Sequence, residues 1–205
     1  SIELREDELI GMQADLAERL YRAELRDLTD SKKLVPARRE AFHALLTSLP
    51  GVSIAVGVAT AAEIDEINVL EATHRAMRRA VAALKPEPPA HVLVDGLPVR
   101  GFPCPATAIV GGDGRSLLIA AASVVAKVLR DRYMVELHAH HPEYAFASNK
   151  GYGTHVHIEA LLRYGPCPEH RRSFRPVREA LALKRLPASE VAAEERAARK
   201  TIVQS

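Results

Sequence analysis

The chain has little of what marks the easily recognised protein classes. Among its 205 residues only two are cysteines, Cys104 and Cys167, each beside a proline, and no Cys or His pair stands at zinc-site spacing. A disulfide scaffold and a structural zinc module are therefore not expected. No apolar run approaches membrane-spanning length, and residues 1–8 lack the basic and apolar regions of a signal peptide. The expected setting is a reduced cytoplasm, with no membrane partner. Internal repeats and low-complexity tracts are missing too. So is a strong excess of one charge: the net charge of +2 and a pI near 8.6 are too mild to announce a nucleic-acid binder. Any basic surface has to come from local clusters, namely Lys32-Lys33 with Arg38-Arg39, Arg75 with Arg78-Arg79, Arg130 with Arg132, and Arg171-Arg172 with Arg175.

What is present is core material. Hydrophobic residues make up 47% of the chain, enough for one medium-sized domain. Leu9, Met12, Leu16 and Leu20 recur at helical spacing and predict an amphipathic helix over 6–25 with acids in its first turn. Pro36 opens a second helix running to about Leu49. Gly51 ends it, and 52–59 alternates small and β-branched residues as a strand does. Thr60 caps a short turn containing Glu63. Asn68 caps a longer helix with Leu70, Thr73, Met77, Val81 and Leu84 on one face. Pro86, Pro88 and Pro89 stop that helix.

The stretch 91–131 organises the rest. His91-Val92-Leu93-Val94 is an apolar run ending at Asp95-Gly96, which presents a carboxylate at a strand end, where α/β sheets place their sites. A second run, Thr107-Ala108-Ile109-Val110, leads into Gly111-Gly112-Asp113-Gly114 and a second carboxylate in a glycine-flanked turn. A helix from Ser116 to about His140 follows, with Leu118, Ala122, Val125, Leu129 and Tyr133 read as its inward face. Two carboxylates at neighbouring strand ends suit a divalent cation, since hard ions favour oxygen ligands. The plainer reading is that each Asp-Gly is a turn or a cap. His138, His140 and His141 read as a helix end rather than as metal ligands, and Asp131 as a partner of the arginines beside it.

Taken in order, the motifs carry a resemblance. Asp30-Ser31-Lys32-Lys33-Leu34, Val94-Asp95-Gly96, Gly112-Asp113, Ile119-Ala120-Ala121-Ala122-Ser123 with Ala126-Lys127-Val128, and Arg130-Asp131-Arg132 are followed by Asn149-Lys150-Gly151-Tyr152-Gly153-Thr154. Gly165-Pro166-Cys167-Pro168 and His170-Arg171-Arg172-Ser173-Phe174 complete the set. Together, over about 29–177, they resemble the bacterial ribonuclease HII family.

The resemblance implies an α/β fold: an RNase H-like mixed sheet flanked by helices with a C-terminal helical extension, residues 1–176 forming the domain and 177–205 a helical tail. It makes 52–59 the third strand of the sheet. It implies an endoribonuclease that hydrolyses RNA in RNA:DNA hybrids and at single ribonucleotides in duplex DNA, cutting 5′ of the ribonucleotide phosphate and leaving a 3′-hydroxyl. Asp95 and Asp113 would be the catalytic ligands of Mg²⁺ or Mn²⁺. Lys32, Lys33, Asn149, Lys150, Tyr152, Arg172 and Ser173 would bind the duplex, with Tyr152 stacking on the sugar at the RNA to DNA junction. A monomer is expected. By residue type alone, Lys32-Lys33 is an exposed solubilising pair and Tyr152 a loop tyrosine covering a small patch.

The resemblance also has a gap. The family's Asp-Glu pair followed by a Gly-Arg-Gly loop has no counterpart upstream of Asp30, and Glu3, Glu6, Asp7 and Glu8 match no part of it. The alternative it leaves open is a catalytically inactive hybrid-duplex binding protein, or an internally deleted form of the enzyme.

Overall fold

Pro36 supplies the fixed φ that suits a first helical turn, and α1 (Pro36–Ser48) begins there. In this computed structural model the described residues are Leu25, Leu28, 31–85 and 89–184, so the helix expected over 6–25, apart from Leu25, and the part of the expected helical tail after 184 fall outside them. Contacts gather the chain into two units, one reaching Val58 and resuming over His74–Arg130, the other comprising Ala59–Thr73 and the chain from Asp131 onward.

The first unit holds the sheet. β1 (Val92–Asp95) pairs in parallel with β2 (Ala106–Ile109), with Val92 opposite Ala106 and Asp95 opposite Ile109. Both ends of the ladder are fastened: Val92 N donates to Pro105 O at 2.9 Å, and Gly96 N to Ile109 O at 3.0 Å. A core of buried residues forms from Leu25, Leu28, Phe42 and Leu46 with Ala120, Val124, Val125 and Val128. The leucine, valine and phenylalanine side chains among them each stabilise by about 1.5–3 kcal/mol when fully buried.

The segment 52–59, expected as a strand, has no strand partner among the described residues. It lies instead against α3 (Val69–Ala83). A Cβ on Gly57 would fall 1.9 Å from Ala76 O, so only glycine permits that approach. Arg79 Nη1 donates to Val58 O at 2.6 Å and Ser53 Oγ to Lys85 O at 2.9 Å, giving these backbone carbonyls a partner outside any sheet.

In the second unit, α2 (Ala61–Ile67) opens on the expected cap. Thr60 Oγ1 accepts from Glu63 N at 3.2 Å, and Glu63 Oε2 accepts from Thr60 N at 3.0 Å. Asn68 caps the start of α3, its Oδ1 accepting from Leu70 N at 2.9 Å and Glu71 N at 3.1 Å. Its inward side differs from expectation: Ala72 is buried, whereas Leu70 and Thr73 are exposed.

The long helix α4 (Leu117–His140) keeps part of its expected inward face: Val125 is buried and Leu129 packs against the core. Ile119, Ala120, Val124, Val128, Met134 and Leu137 are buried as well, while Leu118 is 57% exposed and Ala122 and Tyr133 are exposed. A first half that is apolar on every side gives periodicity no contrast with which to pick a face. A short helix α5 (Phe146–Asn149), then α6 (His155–Tyr164) and α7 (Arg175–Leu183), complete the unit around Met134, Leu137, Tyr144, Phe146, Leu161, Val177 and Ala180. Phe174 is half-buried and lies under the Arg171 guanidinium, 3.4 Å from its ring centre.

Candidate functional site

β1 ends on Asp95, whose side chain is exposed at the end of the strand. Its Oδ1 accepts a hydrogen bond from Gly112 N at 2.8 Å, so the first carboxylate is held against the turn that carries the second. That turn, a single 3₁₀ turn over Gly112–Gly114, follows Gly111, whose φ of 65° is left-handed. A Cβ on Gly112 would lie 2.5 Å from Ile119 Cδ1, so a side chain there would have to push that methyl aside. Two carboxylates with hard oxygens at the end of a parallel strand pair suit a divalent cation. Among the described residues, no group of three or more His, Cys, Asp or Glu is arranged to hold a metal.

Lys32 and Lys33 are exposed in the same unit on a loop with a firm base. Ser31 is buried, its Oγ 2.8 Å from Ser123 Oγ on α4. Arg39 is buried too, and its Nη1 donates to Ser31 O at 3.1 Å and Leu34 O at 2.5 Å. One guanidinium thus ties both ends of the lysine pair, an arrangement that suits its planar fork of donors.

The remaining expected contacts lie in the second unit. Asn149 is buried and its amide is committed to the backbone: Nδ2 donates to Tyr144 O at 2.6 Å, and Oδ1 accepts from Gly151 N at 2.8 Å. Lys150 adopts a left-handed backbone with φ of 52°, as does Ala145 with φ of 54°. Tyr152 then stands 67% exposed, and Thr154 caps α6 by accepting from His157 N at 3.4 Å. Arg172 and Ser173 are exposed and share a partner that sequence reading missed. Asp65 on α2 accepts from Arg172 N at 2.7 Å, Ser173 N at 2.8 Å and Ser173 Oγ at 2.6 Å. Desolvation pushes the Asp65 carboxyl upward, but these hydrogen bonds and the Arg172 charge outweigh it and leave its pKa below the ordinary value.

Sequence reading also missed a buried group behind the Tyr152 loop. His157 and His170 face one another with Nε2 atoms 2.9 Å apart, flanked by Tyr144, Phe146 and Cys167. Burial holds both imidazoles below their usual pKa, His170 down to about 4. Burial also raises Cys167, and takes Tyr144 up to about 12. Only the spacing of His157 from Thr154, three residues into a capped helix, hinted that this histidine faces inward.

With this geometry in view, the fold itself has a match. A ribonuclease H2 from Pyrococcus horikoshii superposes with a TM-score of 0.68, covering 83% of this chain and 88% of that one at 24% identity, which defines an α/β protein of the type 2 ribonuclease H fold. The family model described as Ribonuclease HII matches residues 17–177. A ribonuclease HII of Geobacillus kaustophilus is 54% identical over 159 residues, covering 78% of this chain and 60% of the relative; one of Rhodospirillum rubrum is 52% identical over 163 residues, covering 80% and 74%. The chain belongs to the ribonuclease HII family. It spans about three-fifths of the length of the Geobacillus relatives it matches.

Proposed function

We propose that the protein is an endoribonuclease that hydrolyses the RNA strand of RNA:DNA hybrids and cuts at single ribonucleotides in duplex DNA, 5′ of the ribonucleotide phosphate, as a cytoplasmic monomer serving ribonucleotide removal. The observation that carries this reading is the Asp95–Asp113 pair, joined through Gly112 N at the end of a parallel strand ladder. Asp95 keeps one oxygen on that amide and leaves the other for a cation, and Asp113 supplies the second carboxylate. Bound Mg²⁺ or Mn²⁺ supplies Lewis-acid activation of water and stabilises charge at the leaving oxygen.

The other residues recognise the duplex. Lys32, Lys33, Lys150 and Arg172 place cations for phosphates. Tyr152 offers an exposed ring for stacking on the sugar whose 2′-hydroxyl separates RNA from DNA. Asn149 shapes the loop from beneath. Ser173 gives its hydroxyl proton to Asp65, which leaves an oxygen that accepts, as a 2′-hydroxyl donor requires. The test is cleavage of a DNA duplex containing one ribonucleotide, with Mg²⁺ or Mn²⁺, beside an Asp95→Asn control. Cleavage that disappears in the control is expected. Cleavage that persists would remove Asp95 from the chemistry, and duplex binding without cleavage in the unaltered protein would favour a recognition role instead.

A further inference from the structure

The two buried histidines form a chain of hydrogen bonds whose polarity is set independently from both ends. At one end, Cys167 N donates to His170 Nδ1 at 3.1 Å, and a backbone N–H can only donate. A neutral His170 therefore carries its proton on Nε2. At the other end, His157 Nδ1 lies 2.9 Å from Tyr152 O, and a backbone carbonyl can only accept, so neutral His157 carries its proton on Nδ1 and leaves Nε2 to accept. The two deductions meet at the 2.9 Å contact between the Nε2 atoms: His170 donates and His157 accepts. Each ring has one permitted tautomer and every nitrogen is used.

We propose that this His170–His157 relay positions Tyr152: it fastens the Tyr152 carbonyl to the buried core of the unit and sets the aim of the exposed ring, which makes both histidines positioning residues for ribonucleotide recognition. Tyr152 N donates to Asn149 O at 2.9 Å, and Thr154 N donates to Tyr152 O at 2.8 Å. His157 Nδ1 adds the tie from that carbonyl into the interior. This inference rests on the reading of Tyr152 as the residue that meets the ribose.

The relay depends on neutrality. A proton added to His170 Nδ1 would oppose Cys167 N–H, and one added to His157 Nε2 would oppose the His170 N–H, so either protonation breaks the chain. The groups around it resist that charge. Burial dominates, His157, His141 and Arg171 each work against a proton on His170, and the neutral phenol of Tyr144 packs on its ring at 4.8 Å between centroids. Cys167, whose Sγ lies 3.0 Å from His170 Nδ1, stays a thiol because burial raises its pKa; Glu169 acts on Cys167, and Glu143 on Tyr144.

The experiment is long-range proton–nitrogen NMR of the imidazoles in the full chain, followed from pH 7 downward. The expected result is His170 protonated on Nε2 and His157 on Nδ1, with Tyr152 and Gly153 amide signals unchanged through pH 6.5 and moving only as the pH approaches the range near 4. The opposite tautomer on either ring, or ordinary titration of either near 6.5, would overturn the relay. Two substitutions then separate positioning from mere packing. His157→Asn places an amide where Nδ1 was and is expected to keep the Tyr152 and Gly153 signals. His157→Gln reaches toward His170 instead; it is expected to shift those signals and cut the preference for a hybrid over a DNA duplex, read by fluorescence anisotropy, by about fivefold to tenfold, the equivalent of one hydrogen bond. Equal effects of the two would overturn positioning. An unaltered protein that binds hybrid and DNA duplexes alike would overturn the ribose-sensing role of Tyr152, leaving the relay to stand or fall on the ring tautomers.

Discussion

The carboxylate end of the sheet and the region behind the Tyr152 loop are built on opposite plans. Around Asp95 and Asp113 the framework is spare: two four-residue strands, one side-chain hydrogen bond to Gly112 N, and a turn that depends on two glycines. Around Tyr144, His157 and His170 it is dense, with buried rings in mutual contact and polar atoms paired in a fixed order. The difference fits the roles proposed above. A carboxylate that is to take a cation has to be reachable, which suits the exposed end of β1. Under the same proposal, an aromatic that recognises a sugar gains from being aimed before the ligand arrives, and rigidity beneath it reduces the ordering cost of binding.

Changes to the spare region should show as lost chemistry, and changes to the dense one as lost stability. The largest effect is expected from Asp113→Asn, which removes a charge without changing shape: cleavage should fall by about two to three orders of magnitude while the denaturant midpoint barely moves. An unchanged rate would take Asp113 out of the site. Next is Gly112→Ala, whose Cβ would meet Ile119 Cδ1 at 2.5 Å. Overpacking of that kind costs about 1–3 kcal/mol, and adding Ile119→Val should recover part of it in a double-mutant cycle. In the dense region, Tyr144→Phe removes the hydroxyl that donates to Gly165 O at 2.5 Å in a buried setting. Leaving that carbonyl unpaired should cost about 1–2 kcal/mol in urea denaturation, with cleavage per folded molecule preserved.

The smallest effect belongs to Asp65→Asn, which weakens the contact with Arg172 and Ser173 at an exposed site. Its stability change should stay under about 1 kcal/mol. The sign of its pH dependence is fixed by the lowered pKa: the Asp65 contribution is complete above the ordinary value of 3.8 and fades as the pH falls below it. Melts of the unaltered and Asp65→Asn proteins should therefore converge in acid. The buried histidines act in a different window. With folded pKa values below 6.5, they favour unfolding as the pH drops from 6.5 toward about 4, because the unfolded chain takes up protons first.

How much of this was legible in the sequence depends on whether local rules were enough. Pro36, Thr60 with Glu63, and Asn68 marked helix starts that the structure keeps, because caps are satisfied by residues within one turn. The Asp95 strand end and the Asp113 turn were legible for a similar reason, as apolar runs stopped by glycine. The strand over 52–59 was not, because β-structure is a property of two segments and alternation says nothing about the second. Part of the inward face of α4 was lost to uniform apolarity. Asp65 and the His157–His170 pair were hidden for a third reason: Asp65 meets Ser173 across 108 positions, and His157 meets His170 across 13, so no spacing rule connects them. Sequence also showed Asn149 as a polar loop residue, whereas its burial and two backbone bonds make it the support of that loop.

The register of the ladder, Asp95 opposite Ile109, has a consequence for how the gene can vary. Side chains along a strand alternate between faces, so one codon gained or lost within 92–95 would turn the Asp95 carboxylate to the other side of the sheet. The same change within 97–104, away from the buried Val99, would alter the length of the connection between strands that Gly96 and Pro105 fasten at both ends, and surface connections tolerate that readily. Insertions and deletions in functional descendants should therefore collect in the connection and spare the ladder. A library of single-codon insertions across 90–114, sorted for cleavage, would trace that boundary residue by residue.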